Sequence, residues 1–227
     1  MSTEKNTKQN EKNLGVGEVI TNTENFIEKN QRIILIVIAA IFVIIGGYFA
    51  YVKLYAEPRE KNALGELFGA EQYYKNEDFE KALKGDGKFI GLIDFIDKYG
   101  NTKSGNLAKF YAGTIYLNKG EYQNAIDYLE DFKSKDAFLS TQKFSLLGDA
   151  NIELNQIDKA IKNYNKSLDN ANDLTTPFNL FKLGLAYELN KDNKKALECY
   201  KRIKKEFPNS YEYRDIEKYI VRLENLQ

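Results

Sequence analysis

The residues that most often carry catalysis are scarce in this sequence. It contains no histidine and only one cysteine, Cys199. Without imidazole, a Ser-His-Asp or Cys-His nucleophile, a histidine zinc ligand and a histidine general base are all excluded. A single cysteine forms neither an internal disulfide nor a thiolate metal cluster. We therefore predict a protein that is not an enzyme and has no metal and no cofactor.

Two remaining groups could suggest chemistry, and each has a simpler interpretation. Cys199 stands at helical spacing among apolar residues, which favours a small buried hydrophobic residue. Residues 85–88, Gly-Asp-Gly-Lys, resemble part of a phosphate-binding loop. The pattern GxxxxGK[ST] is nevertheless incomplete, because Ala82 replaces its first glycine and Phe89 its Ser or Thr. We predict no phosphate site and no small-molecule substrate.

The charge balance argues against nucleic acid as a partner. The chain has 33 Lys and Arg against 33 Asp and Glu, and five of each lie before residue 33. The remaining 28 and 28 are therefore also balanced beyond that point. Proteins that bind nucleic acid usually carry an excess of basic residues to neutralise phosphates. We predict proteins, and membrane lipid, as the partners.

The element that organises the chain is the apolar run at 33–52, twenty residues without a charge. As a helix it is about 30 Å long, which matches the hydrocarbon core of a bilayer. Thirteen of its positions are Ile, Leu, Val or Phe, and their insertion is favoured by roughly 4 to 8 kcal/mol. A core helix would show a polar face, and a signal peptide would begin nearer the amino terminus. The run predicts a transmembrane helix.

The residues in and beside this helix give limited information about its orientation in the membrane and its packing. Two basic residues, Lys29 and Arg32, precede it and three follow it within ten residues, so charge bias alone does not define the topology. Gly46, Gly47 and Ala50 form a small-residue surface that another transmembrane helix could approach closely. We predict helix packing there.

Past residue 105 the sequence repeats at intervals of 35 and 36 residues. Glycine recurs at 113, 148 and 184, and alanine recurs at 125, 160 and 196. This spacing predicts two antiparallel helices per unit, with a small residue on the first helix where the second passes close by. One such hairpin cannot cover its own apolar face, so the units must stack.

These repeats resemble the tetratricopeptide repeat, whose period is about 34 residues. The likeness covers residues 106–210, and a degenerate earlier unit is expected within 68–105. The departures from the family pattern are the lack of tryptophan and Asn151, where an aromatic residue is usual. The resemblance implies an all-α superhelix. After Ser210, a possible helix cap, Tyr213, Ile216, Ile220 and Leu223 predict a final capping helix.

The predicted organisation has four parts. They are a disordered polar tail at 1–32, a transmembrane helix at 33–52, a juxtamembrane helix with a bend near Pro58 and a degenerate first repeat at 53–105, and three repeats with a capping helix at 106–227.

The resemblance also implies a binding surface. In this family, fixed positions on the first helix of each repeat line a concave groove that holds a peptide or helix of a partner. An alternative is that these residues pack against the preceding helices. The corresponding positions here are Leu107, Phe110, Thr114, Leu117, Gln142, Ser145, Asp149, Ile152, Phe178, Phe181, Leu185 and Glu188.

The layout of tail, anchor and repeat domain resembles the ancillary subunits of the bacterial Sec translocon. That likeness implies an inner-membrane adaptor with a cytoplasmic amino terminus and a periplasmic domain at 57–227. Its expected partners are translocon components, periplasmic chaperones or exported chains. The alternative is a scaffold subunit of another cell-envelope assembly.

Overall fold

In the computed structural model, residues 29–226 are described, and the chain divides after Pro58 into two compact units. Within residues 29–226 the secondary structure is helical, with one isolated antiparallel bridge between Gly85 and Ile90 and no strand. This confirms the all-α fold class. Of the tail predicted at 1–32, residues 1–28 lie outside the described residues.

The first unit is helical at 29–51 (α1), and a π-helical turn follows at Val52–Ala56. In this turn the N–H of Glu57 bonds to the carbonyl of Val52, five residues back. The ring of Pro58 would crowd the carbonyl four residues before it, and a widened turn relieves such crowding. The bend or restart expected near Pro58 is therefore a π turn. Residues 29–32, expected in the disordered tail, are helical.

The apolar part of this unit is not covered by other residues of the described chain. Helix Lys29–Lys75 is long and apolar enough to cross a membrane, and the side chains of its most apolar window are unburied. Phe42 and Val43 are among the exposed large side chains. A Cβ on Gly46 or Gly47 would meet open space. Helix packing at these glycines stays a prediction.

The second unit consists of ten helices, counted from α2, whose first two residues precede the boundary. They are α2 (Glu57–Lys75), α3 (Phe79–Lys84), α4 (Leu92–Tyr99), α5 (Lys103–Asn118), α6 (Tyr122–Asp131), α7 (Ala137–Glu153), α8 (Ile157–Ser167), α9 (Thr176–Leu189), α10 (Asn193–Glu206) and α11 (Tyr213–Glu224).

Each predicted hairpin turns in the same way. The residue that joins the two helices has a positive φ in α5–α6, α7–α8 and α9–α10, at Gly120, Asn155 and Lys191 respectively. The following N–H then bonds to a carbonyl five residues earlier, as Gln156 does to Asn151. This is the arrangement of a Schellman cap, which satisfies the last carbonyls of the first helix.

The glycine of each repeat lies where the second helix passes closest. A Cβ added to Gly148 would overlap the ring of Tyr164, and one added to Gly184 would overlap Tyr200. At Gly113 the neighbour is Leu129. Each of these second-helix side chains therefore packs against the glycine of its own unit.

Before these repeats, α2 pairs with a second helix that is interrupted. The loop after α3 carries Gly85 and Gly87 with positive φ, and its Phe89 packs over Gly69 of α2. The carboxylate of Asp86 accepts the N–H of Phe89 at 2.8 Å and the hydroxyl of Tyr73 at 2.6 Å. A carboxylate that holds the loop in this way leaves no anion site there.

Helix α2 is joined to the repeats by polar contacts as well as by the core. The carboxylate of Glu60 accepts the N–H groups of Lys103 and Ser104 at 2.6 and 3.1 Å, at the start of α5. A negative charge stabilises a helix amino terminus. Glu66 binds Lys98 and the hydroxyl of Tyr99, and these bonds lower the pKa of its carboxyl.

The capping helix differs from the prediction at Tyr213 and Ser210. Ile216, Ile220 and Leu223 are buried, but Tyr213 is exposed. Tyr213 is the first residue of this helix. Its N–H donates to the Ser210 hydroxyl at 3.2 Å, but the N-cap residue of the helix is Glu212, whose side chain makes no cap hydrogen bond, so Ser210 is not the cap that was expected.

The expectation for Cys199 is confirmed. Its side chain is buried in α10 beside Ala160 and Leu183. Burial raises the pKa of the thiol to about 11, so the reactive thiolate is disfavoured near neutral pH.

We predict that Gly148→Ala destabilises the protein by about 1 to 3 kcal/mol, since the new methyl group displaces the ring of Tyr164. Gly65→Ala is the matched control, because Gly65 is a helical glycine with open space around it. There alanine should stabilise by about 0.5 to 1 kcal/mol. Urea unfolding followed by circular dichroism measures both. Equal effects at the two glycines would contradict the close-approach argument.

Candidate functional site

The predicted groove residues lie on α5, α7 and α9, four on each helix with the same spacing. This spacing puts each set of four on one helix face. The structure gives these three faces different degrees of exposure, so the twelve residues do not form one uniform open surface.

On α5 the predicted residues serve the core. The ring of Phe110 lies 5.1 Å from that of Phe132, and Leu117 packs on the same apolar cluster. The hydroxyl of Thr114 donates to the carbonyl of Phe110 at 2.9 Å. Leu107 is half-buried. Packing therefore accounts for Phe110 and Leu117, but it is packing against α6 and α7, which follow α5, and not against the preceding helices of the alternative interpretation.

On α7 a polar network joins two repeats. Lys182 of α9 donates to Asp149 at 2.6 Å and to the buried hydroxyl of Ser145 at 3.2 Å. Asp149 also accepts the hydroxyl of Tyr164 at 2.7 Å. Its carboxylate is thus committed to holding α7, α8 and α9 together.

The other two predicted residues on α7 are half-buried. Ile152 packs on the apolar cluster that contains Tyr164, and Gln142 is half-buried.

The same arrangement, a first-helix carboxylate bound to a tyrosine hydroxyl and to a cation, recurs one repeat later. Glu188 of α9 accepts the hydroxyl of Tyr200 at 2.6 Å and pairs with Arg222 of the capping helix, also at 2.6 Å. Burial and the neighbouring carboxylates raise the pKa of both Tyr164 and Tyr200. The phenols therefore stay protonated and act as hydrogen-bond donors.

An open cavity remains at the carboxyl-terminal end of the array. It has a volume of 240 Å³ and lies between α9 and the start of α11. Phe178 is 46% exposed there, and Leu185 on the same helix is 37% exposed. We call this cavity the terminal groove; it is lined by Phe178, Phe181, Tyr211, Glu212, Asp215 and Tyr219.

Aromatic packing shapes the floor of the terminal groove. The ring of Tyr219 lies 5.0 Å from Phe181 in an edge-to-face arrangement and 5.3 Å from Tyr200. Edge-to-face pairs of this kind hold rings in defined positions. The rim carries the carboxylates of Glu212 and Asp215, so the groove combines an apolar floor with negative charge.

Sequence reasoning named two of the six residues that line the terminal groove, Phe178 and Phe181. It missed four because the capping helix was treated only as a cover for the array. The signal available was Tyr219, which directly precedes the buried Ile220 and therefore borders the apolar face.

Among the described residues, no group of three or more His, Cys, Asp or Glu side chains could hold a metal ion.

Three segments of the chain match the tetratricopeptide repeat family, at residues 107–137, 144–173 and 179–210. They coincide with hairpins α5–α6, α7–α8 and α9–α10. These three hairpins are tetratricopeptide repeats. The family resemblance found in the sequence is thereby confirmed for this part of the chain.

Solved structures with the same fold include two crystal structures of MamA. One is 18% identical and covers 69% of this chain and 92% of its own, with a TM-score of 0.53. The other is 20% identical and covers 72% and 90%, with a TM-score of 0.51. At these identities the likeness concerns the fold alone. None of the curated proteins matches the sequence significantly.

Tetratricopeptide repeats are typically noncatalytic scaffolds that bind other proteins, and no enzyme family is indicated for this chain. Interaction with a protein partner is therefore the function that its repeat array supports.

We predict that Asp149 and Lys182 are energetically coupled. A double-mutant cycle with Asp149→Asn and Lys182→Gln should give a coupling of about 1 to 2 kcal/mol, since both side chains are mostly buried. The control is the exposed pair Arg202 and Glu206 within α10, whose coupling should be about 0.3 to 0.5 kcal/mol. Urea unfolding measures both cycles, and a coupling no larger than that of the control would refute the role of the network.

Proposed function

We propose that this protein is a noncatalytic, membrane-anchored adaptor whose terminal groove binds a segment of a partner protein. The partner segment carries a large apolar side chain next to basic residues. The observation that carries this proposal is the exposed Phe178 above a fixed aromatic floor, with Glu212 and Asp215 at the rim.

The groove residues suit this partner for physical reasons. Contact between an exposed phenylalanine in a concave site and an apolar side chain of the partner is favourable, because it removes both apolar surfaces from water. The rim carboxylates attract lysine or arginine and repel acidic segments. The other predicted groove positions are mostly occupied by internal packing or ion pairs, so binding concentrates at the end of the array.

Anchoring in a membrane is supported by the exposed apolar surface of α1. Large side chains such as Ile36, Phe42 and Ile44 are at least 60% exposed. Such a surface is unfavourable in water and favourable in hydrocarbon. Tethering the repeats to a membrane raises their effective concentration for a partner in the same membrane.

We infer that the protein lies in a bacterial inner membrane, with its amino terminus in the cytoplasm and its repeats in the periplasm. The leading hypothesis for its role is assistance of protein export at the Sec translocon. This inference rests on the likeness in layout to ancillary translocon subunits. Protease treatment of spheroplasts should then degrade the repeat domain. Protection of that domain from protease would refute the periplasmic topology.

The second candidate is a scaffold in another cell-envelope assembly, which the same anchor and groove would serve. Crosslinking in intact membranes separates the two. Translocon components, periplasmic chaperones or exported chains among the products support the leading version. A different reproducible set of partners, with protein export unchanged on deletion, supports the scaffold.

We predict that the full chain stays with membranes during alkaline carbonate washing. The double variant Ile38→Arg, Val43→Arg should be released, because each arginine costs about 2.5 to 3.5 kcal/mol near the helix centre and together they cancel the gain from insertion. Leu174→Arg, at an exposed loop position, is the control and should remain in the pellet. Release of the unmodified chain would refute anchoring.

We predict that a photoreactive phenylalanine analogue at Phe178 crosslinks to one reproducible partner in intact cells. Phe138, which is 48% exposed and outside the groove, is the matched control position. The partner should crosslink several-fold less when Glu212→Gln and Asp215→Asn are combined with the analogue at Phe178, because its basic residues lose their counter-charges. Equal yields at Phe178 and Phe138 would argue against the groove.

A further inference from the structure

The residues at the contact between successive repeats differ in the second of the three repeats. In the first repeat, Tyr116 of α5 stacks on Tyr128 of α6, with ring centroids 5.4 Å apart and planes 11° apart. Both rings pack against the core formed with the preceding unit. In the third repeat the corresponding residues are Tyr187 and Cys199, which pack on the cluster that contains Ala160.

In the second repeat both of these positions are asparagine. Asn151 takes the place of the tyrosine on the first helix, and Asn163 takes that of Tyr128. Where the stacked rings would lie, the structure has a cavity of 390 Å³ between α6 and α8. We call it the Asn151 pocket. It lies between second helices of the repeats and shares no residue with the terminal groove.

The floor of the Asn151 pocket is polar, and two of its side-chain oxygens accept no hydrogen bond from the described residues. Asn151 is only 2% exposed, and its amide nitrogen donates to the carbonyl of Leu147 at 2.6 Å. Its side-chain oxygen meets no hydrogen-bond donor of the described residues, and the same is true of the side-chain oxygen of Gln156. Buried acceptors without donors are unfavourable. Both oxygens belong to residues that line the pocket.

The two walls of the pocket carry opposite charges. Helix α6 contributes the carboxylates of Asp127 and Glu130, and α8 contributes Lys159, Lys162 and Lys166. In the part of the chain that the structure describes, no ion pair joins one wall to the other. Asp127 accepts only from Gln123 of its own helix, at 2.8 Å. Lys166 lies over the ring of Phe144, 5.1 Å from its centroid. The carboxylates of α6 and the ammonium groups of Lys159 and Lys162 therefore remain available to a molecule that bridges them.

We propose that the Asn151 pocket binds a small zwitterion, an amino acid or short peptide with a free ammonium and a free carboxylate. The ammonium faces the carboxylates of Asp127 and Glu130. The carboxylate faces the lysines of α8. The volume lies within the range of small-molecule sites, about 300 to 1,000 Å³. This site does not depend on the proposed adaptor function.

Three dipeptide probes test the need for both charges. They are glycylglycine, N-acetylglycylglycine, which lacks the ammonium, and glycylglycinamide, which lacks the carboxylate. Each is titrated into the purified full chain in detergent micelles and followed by ligand NMR. Glycylglycine should saturate the protein, and each blocked analogue should bind at least about tenfold more weakly.

Variants then assign the binding to this pocket. Asn151→Tyr restores the residue of the first and third repeats, so it should fill the pocket and abolish glycylglycine binding while the fold is kept. Asn118→Tyr, at an exposed asparagine at the end of α5, should leave binding unchanged. Asp127→Asn, at an exposed position that the core does not need, should weaken glycylglycine binding and leave the N-acetyl analogue unaffected.

Three results would overturn this inference. They are a failure of glycylglycine to saturate at up to about 10 mM, equal binding of all three probes, or unchanged binding to Asn151→Tyr. Partner crosslinking at Phe178 is a separate readout, so failure here is distinguishable from failure of the adaptor proposal.

Discussion

The structure depends on how closely the two helices of each repeat can approach. A glycine on the first helix removes the Cβ that would otherwise collide with a ring or a leucine from the second helix, as at Gly148 and Tyr164. The ring then fills the space that the glycine leaves, and dense packing of this kind gives protein interiors their stability. Because the same contact recurs in successive hairpins, equivalent helix faces recur at regular intervals along the array.

The buried tyrosines link this packing to the polar contacts between repeats. Tyr164 and Tyr200 each reach past the glycine and donate to a carboxylate, Asp149 or Glu188. Each carboxylate in turn binds a cation from a later helix, Lys182 of α9 or Arg222 of α11. Hydrogen bonds to charged groups contribute more than neutral ones. The carboxylates on the first-helix face are therefore used for assembly of the array. The proposed partner site lies at the carboxyl-terminal end of the array, where no further repeat follows within residues 29–226.

Departures from the repeat pattern concentrate at the places where binding is proposed. The terminal groove exists because α11 covers the end of the array with an aromatic residue, Tyr219, and brings acidic residues beside it. The Asn151 pocket exists because two asparagines stand where another repeat stacks two tyrosines. In both cases the fold persists, since the glycine contacts within each hairpin are retained. A repeat array can therefore vary the residues between its units without losing its architecture.

The sequence alone determined the long apolar helix, the period of the repeats, their hairpin form and the buried state of Cys199, because these follow from local spacing and composition. It located the groove only in part: Phe178 and Phe181 line it, whereas Phe110, Ser145 and Asp149 are taken up by packing or ion pairs. The tertiary structure alone decided which first-helix residues remain exposed, which carboxylates pair with Lys182 and Arg222, and where cavities open. Those outcomes depend on side chains from helices distant in sequence, and spacing within one helix carries no information about what packs against it.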